Sequence, residues 1–456
     1  MAPSIIILAA GKGSRMASAI PKALQKLAHK PLLLHLLDTL RLLSSPQIIV
    51  VVGHQHELVR AACSGYAVEF ALQPQQHGTG DAVNCALPLV RSEQVLVLNA
   101  DLPLVSLATL QQLVRASKAH PCALLTSEVV NPSGLGRIVR DSSGAIQAIV
   151  EQADASAQEL AIAEINVGLY GFTTKSLRKY LQLLQTNNQQ SELYLTDVVR
   201  LAVGDNLAVI SVPTTTPLEA ISINTFAELA RLEKAYQLEL SAKLQANGVQ
   251  VIDPQRLDLR GDIQVASDVL LDVNVILEGR CIIESFVSIG PNCYLKNVIV
   301  KQHSQILANS VLEDAVVGEH CTIGPFARLR PGTVLSDRVK IGNFVEIKQT
   351  TIAAKTKINH LAYIGDATIG KNVNIGAGVI TCNYDGANKH RTIVEDDVFV
   401  GSNTEIVAPL TIGARATIAA GTTLLQDVPA NALALSKKLP MLIANWLRPV
   451  KKTGEL

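Results

Sequence analysis

"CTIGPFARLRPGTVLSDRVKIGNFVEI", Cys321 to Ile347, carries an aliphatic residue every six positions, at Ile323, Leu329, Leu335, Ile341 and Ile347. A helix repeats every 3.6 residues and a strand every two, so a strict period of six fits neither. It fits a hexapeptide β-helix, in which each flat face of a coil turns one aliphatic side chain inward and stacked coils form a ladder. Upstream the same phase includes Val311 and Val317, preceded by an earlier series at Ile263, Val269, Val275, Cys281, Val287, Cys293 and Ile299, with a register slip between 300 and 310. Downstream lie Ile352, Ile358 and Ile364, then Val400, Ile406, Ile412, Ile418 and Leu424. Glycine often follows the aliphatic residue, as at 324, 342, 365, 376 and 413.

A ladder this narrow has no room for rings, and only 4 % of the chain is aromatic although 48 % is hydrophobic. Cores normally use Phe, Tyr and Trp to fill volume, so the shortage is itself a mark of the repeat. One segment refuses the period. "TCNYDGANKHRT", 381–392, is polar and interrupts the coil. It reads either as a tolerated surface insertion or as a functional loop on a rigid scaffold, and the second reading is favoured.

Just before the repeat, "TFAELARLEKAYQLELSAKLQANG", 225–248, opens with a Thr225-x-x-Glu228 capping box and closes on Asn247-Gly248. Leu229, Leu232, Tyr236 and Leu240 recur at helical spacing, so a single helix is expected to join two domains.

The first half alternates apolar runs, "IIVVVGH" (48–54), "QVLVLNADLPL" (94–104) and "CALLTSEVV" (122–130), with helical patterns at 32–43 and 107–117. Unbroken apolar runs suit parallel strands buried on both faces, and the alternation predicts a doubly wound α/β domain with ligands beyond the strands' carboxyl ends. "SIIILAAGKGSRM", 4–16, ends such a strand in a glycine-rich turn flanked by cations. It lacks the third glycine of the dinucleotide fingerprint, because position 16 is Met, and it lacks the Gly-Lys-Ser/Thr of the ATP-cradling loop. By itself the turn also fits an ordinary strand-to-helix connection. Its place beside "NADLP" (99–103), at a second strand end, favours an anion site.

Charge and composition exclude several classes. With 40 basic and 39 acidic residues the net charge is +1, which directs the chain to neither nucleic acid nor a membrane surface. No run approaches the ~18 apolar residues of a membrane span. The first residues lead straight into a strand without a signal-peptide pattern, so a cytoplasmic location is expected. Seven scattered cysteines without a CxxC pair fit reduced thiols, and "GHQHEL" (53–58) fits a surface loop better than a metal site.

The glycine loop, the long helix and a hexapeptide repeat containing "NHLAYIGD" (359–366), "NIGAG" (374–378) and "CNYDGANK" (382–389) together resemble one family across essentially the whole chain. It is the bacterial bifunctional N-acetylglucosamine-1-phosphate uridyltransferase / glucosamine-1-phosphate N-acetyltransferase family. The resemblance implies a Rossmann-like, doubly wound nucleotidyltransferase domain over 1–226, a linker helix over 227–247, and a left-handed parallel β-helix acetyltransferase domain over 248–456. It further implies a homotrimer that makes UDP-N-acetylglucosamine for peptidoglycan and lipopolysaccharide. Acetyl-CoA and glucosamine-1-phosphate would react first, then UTP and N-acetylglucosamine-1-phosphate with Mg²⁺.

For uridylyl transfer the resemblance places Leu8, Ala9, Ala10, Gly11 and Gly13 around the nucleotide, with Arg15 against the leaving pyrophosphate and Lys22 on phosphate. Gln73, Gly78 and Thr79 would contact the base. Asp101 and Asn224 would hold the metal, one carboxylate and one amide oxygen that suit Mg²⁺, whose remaining ligands are phosphate and water oxygens. Gly136, Glu151 and Asn166 would read the sugar. Taken alone, Asn224 is a helix cap and Arg15 and Lys22 are solvated charges. The family commonly has Tyr-Gly-Asp where this chain has Asn99, Ala100 and Asp101, so altered affinity rather than lost chemistry is expected.

For acetyl transfer the resemblance makes His360 the base that relieves the substrate amine of its proton, a task suited to imidazole. Taken alone, a histidine on a β-coil is more often structural. Arg330 and Lys348 would take the sugar phosphate, with Tyr363 and Asn374 on the sugar and Glu346 orienting or charge-balancing His360. Ala377, Asn383, Tyr384, Ser402, Ala420 and Lys437 would line the acetyl-CoA path. Lys437 stands where the family often has arginine, and lysine keeps the charge but loses the bidentate fork. The basic tail at 448–452 is expected to be solvated. The competing reading is a monofunctional sugar-1-phosphate nucleotidyltransferase with a structural or regulatory β-helix; a non-catalytic solenoid scaffold is the other class.

Overall fold

The computed structural model describes residues 2–44, 46–436 and 442–449. Lys437 and the tail from 450 onward lie outside them. Two compact units divide the chain, Met1–Leu240 and Ser241–Leu456.

The first unit is built on one twisted sheet. Its strands are β1 (Ser4–Leu8), β2 (Gln47–Val52), β3 (Glu69–Leu72), β4 (Gln94–Asn99), β5 (Cys122–Glu128), β6 (Arg137–Arg140), β7 (Ile146–Val150), β8 (Glu164–Thr173) and β9 (Val209–Pro213). The order across the sheet is β9-β5-β8-β4-β1-β2-β3, with the β6–β7 hairpin attached through β8. Ile5 and Ile7 of β1 enter one core and Ile6 the other, which is why this strand is apolar throughout. The chain leaves β1 toward β2 and β3, then returns to place β4 on β1's other side. The loops after β1 and β4 therefore flank the point where the winding direction changes, the usual ligand crevice of such sheets.

The sheet is mixed rather than all parallel: β8 runs antiparallel between β4 and β5, with its register shifted between Asn166 and Tyr170. Gly168 sits in that irregularity at φ 88°, and a Cβ there would stand 2.4 Å from Asn99 Nδ2. Only glycine combines that backbone with that approach.

The helix Phe226–Ala246 starts on the reciprocal box expected of it. Glu228 N donates to Thr225 Oγ1 at 3.2 Å, and Thr225 N to Glu228 Oε2 at 2.9 Å. Leu232 is fully buried with Met16, Leu27, Leu32 and Ile223.

The second unit is the parallel β-helix. Gln305 pairs with Thr322 seventeen positions on, and Thr322 with Lys340 eighteen on, so a coil is three hexapeptides with an occasional deletion. Asn374 pairs with Phe399, so one coil holds eight additional residues, the polar insertion. Corners need a left-handed residue, and asparagine, which tolerates it, recurs there. Asn274 Nδ2 donates to Asn292 Oδ1 at 2.8 Å, and Asn292 Nδ2 to Asn309 Oδ1 at 3.2 Å, a short amide stack down one edge.

The structure corrects the inward pattern in one respect. Each hexapeptide buries two side chains, not one: a small residue and, two positions later, a large aliphatic one. Cys321 and Ile323, Thr333 and Leu335, and Thr350 and Ile352 are such pairs. Val269 to Cys293 follow the first line, whereas Ile323 onward follow the second. The apparent slip is partly a change between lines and partly a five-residue step, from Cys293 to Val298. Ile299 and Val311 are accordingly only partly buried, while Val298 and Leu312 are enclosed; Ile263, on the first coil, is partly buried as well. Phe286, Phe326 and Phe344 stand at corners with half or more of their surface exposed, outside the narrow core.

Candidate functional sites

A cleft of about 360 Å³ opens at the carboxyl ends of β1 and β4. Leu8 to Gly11, Arg15, Lys22, Gln73, Gly78, Thr79, Asn99 to Asp101 and Asn224 all line it. Gly13 does not. It supports the cleft from behind, at φ 62° with Lys22 Cβ only 2.9 Å from where its own Cβ would be, so glycine seats the Lys22 stem against the loop.

At the centre, Lys22 Nζ donates to Asp101 Oδ2 at 2.5 Å and to Asn224 Oδ1 at 2.8 Å. Arg15 Nη2 donates to the same Asn224 oxygen at 3.0 Å. Asn224 is held by its own N–H on Glu228 Oε2 at 2.7 Å, so the helix start fixes this residue as well as the helix. Asp101 Oδ1 is buried and has no hydrogen-bond partner. An orphaned carboxylate oxygen, on a group whose other oxygen shares one ammonium with an amide oxygen, is a donor set that suits a hard divalent ion. Among the described residues no group of three or more His, Cys, Asp or Glu forms a complete metal cage.

Gln73 is almost fully buried, with Nε2 spent on Asp81 Oδ2 at 2.8 Å and on the Gly78 carbonyl at 3.2 Å. Thr79 Oγ1 accepts from Leu195 N at 3.0 Å. The three sugar candidates form their own group on the hairpin and β8, outside the cleft lining. Asn166 N donates to the Gly136 carbonyl at 2.9 Å, its Nδ2 donates to Tyr170 Oη at 2.6 Å, and Gly136 faces both Glu151 carboxylate oxygens. Burial pushes the Glu151 carboxyl above its ordinary range, against a hydrogen bond from Thr196.

In the β-helix, register does the assembling. Asn343 pairs with His360 on the next coil. Continuing the adjacent pairings by two residues sets His360 beside Ala377, Ala377 beside Ser402 and Ser402 beside Ala420. Backbone hydrogen bonds from Gly378 N to Leu361, Asn403 N to Ala377 and Gly421 N to Ser402 fix the same stack. A histidine thus opens a column of small residues running up the coil, at ~4.8 Å per step. On the neighbouring face Arg330 stacks on Lys348, and Glu346 on Tyr363. Asn374 belongs to the His360 face, three residues before Ala377.

The insertion folds over as a tight turn with an isolated bridge between Tyr384 and Lys389. Asp385 accepts from Asn388 N and Ala387 N and pairs with His390, so its carboxyl is held well below the usual range. Asn383 Nδ2 bonds Asp366 Oδ2 across to the preceding coil, while Tyr384 is exposed and donates to the Gly386 carbonyl at 2.6 Å.

Family models match the three regions separately: a MobA-like NTP transferase domain over residues 5–166, a GMPPB C-terminal domain over 259–360 and a hexapeptide repeat of succinyl-transferase over 391–426. Whole-chain relatives are more informative. "Bifunctional protein GlmU" of Stutzerimonas stutzeri (strain A1501) is 48 % identical, covering 99 % of this chain and all of the relative. Proteins of the same name from Azoarcus sp. (strain BH72) and Burkholderia thailandensis are 46 % and 47 % identical, each covering 98 % of this chain and 99 % of its own. The chain belongs to the bifunctional GlmU family. It is an enzyme with a nucleotidyltransferase half and a hexapeptide acetyltransferase half, which rules out the monofunctional reading and the inert scaffold.

Beside these candidates the structure brings two residues that the sequence did not single out, and it gives Glu346 a partner other than His360. Glu346 Oε1 accepts from Arg330 Nη1 at 2.8 Å rather than meeting the His360 ring. The group on His360 is Asn343, whose Oδ1 lies 3.1 Å from Nδ1. Lys389 was missed as well. The neighbouring Lys348 ammonium holds its amine below the ordinary lysine range, and two ammonium groups brought together ask for an anion between them. Asn343 is marked by no motif and becomes visible only once the coil length is known, whereas Lys389 closes the CNYDGANK motif but meets Lys348 only once the insertion is folded.

Proposed function

We propose that this GlmU-family chain makes UDP-N-acetylglucosamine in two steps on separate sites, with acetyl transfer preceding uridylyl transfer. What supports the reading most directly is the Lys22–Asp101–Asn224 cluster at the sheet's switch point, present in the same chain as the His360 column.

In the β-helix, the glucosamine-1-phosphate amine attacks the thioester carbon of acetyl-CoA. A carbon–nitrogen bond forms, the carbon–sulfur bond breaks, and CoA leaves as the thiol. His360 takes the proton that the amine must lose. Arg330, Lys348 and Lys389 hold the sugar phosphate, Tyr363 and Asn374 the sugar. The small side chains of Ala377, Ser402 and Ala420 leave a path for the acetyl-CoA arm, with Asn383 and Tyr384 beside it and Lys437 assigned to its phosphates.

In the α/β unit, an oxygen of N-acetylglucosamine-1-phosphate attacks the α-phosphorus of UTP and pyrophosphate leaves. Little covalent work falls to the protein, so placement and charge neutralisation dominate. Leu8 to Gly11 offer backbone N–H groups to the nucleotide, and Gln73, Gly78 and Thr79 read uracil. Arg15 and Lys22 neutralise the phosphates, while Gly136, Glu151 and Asn166 read the acetamido sugar. Asp101 and Asn224 would hold Mg²⁺, which supplies positive charge on the phosphate oxygens.

The substrates are small and anionic, no helix among the described residues is long and apolar enough to cross a membrane, and a cytoplasmic homotrimer is the assembly we assign. The test supplies glucosamine-1-phosphate, acetyl-CoA, UTP and Mg²⁺ and follows free thiol and pyrophosphate separately. Both products and accumulating UDP-N-acetylglucosamine support the reading. Pyrophosphate from N-acetylglucosamine-1-phosphate and UTP, with thiol never appearing, overturns the acetyl-transfer half.

A further inference from the structure

We infer that Asn343 is a positioning residue for acetyl transfer: its side-chain oxygen fixes the tautomer and ring orientation of His360. The inference rests on the reading of His360 as the base.

Three observations carry it. First, the contact is built into the coil: Asn343 and His360 are directly paired across adjacent strands, and His360 Nδ1 lies 3.1 Å from Asn343 Oδ1. An amide oxygen only accepts, so the shared hydrogen belongs to Nδ1, and the Nε2 lone pair is left for the substrate. Second, Asn343 is itself fixed at both ends. Its backbone carbonyl accepts from Leu361 N at 3.1 Å, the residue after His360, and the corner that follows is set by Phe344 at φ 57°. Backbone and side chain of Asn343 therefore bracket the histidine. Third, Glu346, the carboxylate nearest to Asn343 in sequence, is engaged by Arg330, and Asp366, the one nearest to His360, by Asn383. The ring's partner is thus neutral. A neutral acceptor sets the tautomer without binding the imidazolium as a carboxylate does, so the proton taken from the amine is not retained.

The test uses the full-length enzyme with His360→Ala, Asn343→Leu and Asn343→Asp, under acetyl-transfer and uridylyl-transfer assays, with imidazole ¹⁵N spectra assigned by the loss of the His360 signals. Asn343→Leu keeps the volume and removes the acceptor. We expect its acetyl-transfer kcat to fall about tenfold to a hundredfold, as when the partner of a working histidine is removed, with KM changed less than about twofold. Uridylyl transfer stays at the wild-type rate, which reports that the chain is folded. Asn343→Asp keeps an acceptor and so restores the Nδ1 proton in the spectra, but as a carboxylate it holds the imidazolium and recovers kcat only in part. In the wild type the His360 proton is on Nδ1, and in Asn343→Leu the signals move toward a tautomer mixture. A wild-type proton on Nε2, or a wild-type kcat in Asn343→Leu, overturns the inference. If His360→Ala is inactive while Asn343→Leu is unimpaired, only the positioning role falls. If His360→Ala still transfers acetyl groups, the base reading fails and takes this inference with it.

Discussion

Lys22 occupies a position where two demands meet. It donates to both Asp101 and Asn224, supplying positive charge beside a partly buried carboxylate. With nucleotide it is assigned to phosphate, and those two oxygens to the metal. One ammonium therefore has to leave the ligands that the ion takes. Lys22→Met is expected to lower uridylyl kcat by about a hundredfold, the scale of removing one group from developing charge, while acetyl transfer is unchanged. The same variant should bind Mn²⁺ more tightly in the absence of nucleotide, read from the free-ion signal in electron paramagnetic resonance. Weaker Mn²⁺ binding would mean that Lys22 builds the metal site rather than competing for it. Glu151 shows a cost of the opposite kind. Burial raises its pKa, so the folded state favours the neutral form and the ionised form is destabilising. Its stability contribution is complete below the ordinary carboxylate range and is lost as pH rises through the raised value. Glu151→Gln should therefore melt higher than wild type at pH 8, with the gain shrinking to nothing toward pH ~4, while the sugar KM rises. Equal melting shifts at both pH values would remove burial as the cause. The roles of Lys22 and Asp101 were legible because both residues flank recognisable strand ends. The buried state of Glu151 was not, since it depends on a hairpin folding back onto a helix from later in the chain.

Among the elements, the polar insertion is the clearest case of structure added to a repeat without disturbing it. Eight extra residues separate Asn374 from Phe399, yet the strands on either side keep their register with the coils below and above. Thr381, just before the turn, is buried and bonded to both backbone groups of Gly365, so the coil closes without the loop's help. Deleting Asn383–His390 restores a seventeen-residue coil. The deletion is expected to shift Tm by no more than a few degrees and to leave uridylyl transfer intact, because a surface loop contributes little to the core. Acetyl transfer should fall below detection, since Asn383, Tyr384 and Lys389 go together. Retained acetyl transfer in a folded deletion variant would reduce the insertion to decoration. The β-helix was legible because each coil packs on its immediate sequence neighbours, which preserves the period in the chain itself. Its two-line core was not. Small residues such as Ser304, Ser310 and Thr350 carry the first line in places, and a search for aliphatic periodicity passes over them.

The whole molecule places two chemistries on two units, each with a core of its own. The antiparallel β8 was hidden from the sequence reading for the same reason that the units differ. Sheet order in the first unit is set by long-range pairing, whereas stacking in the second is local. Local stacking reaches the active column too: Asn343, His360, Ala377, Ser402 and Ala420 are aligned by coil length alone, so no contact from the α/β unit is needed to bring them together. The two activities should then be separable by single substitutions. His360→Ala is expected to abolish thiol release while leaving uridylyl transfer from supplied N-acetylglucosamine-1-phosphate within about twofold of wild type, and Asp101→Ala to do the reverse. Mixing the two variants should restore UDP-N-acetylglucosamine from glucosamine-1-phosphate after a lag, because the intermediate made by one protein diffuses to the other. Its length should shorten as enzyme concentration rises, which a stopped-time assay of product reads directly. Equal loss of both activities in either variant would show that the sites depend on each other. Failure of the mixture despite two intact half-reactions would show that the intermediate is not released to solution.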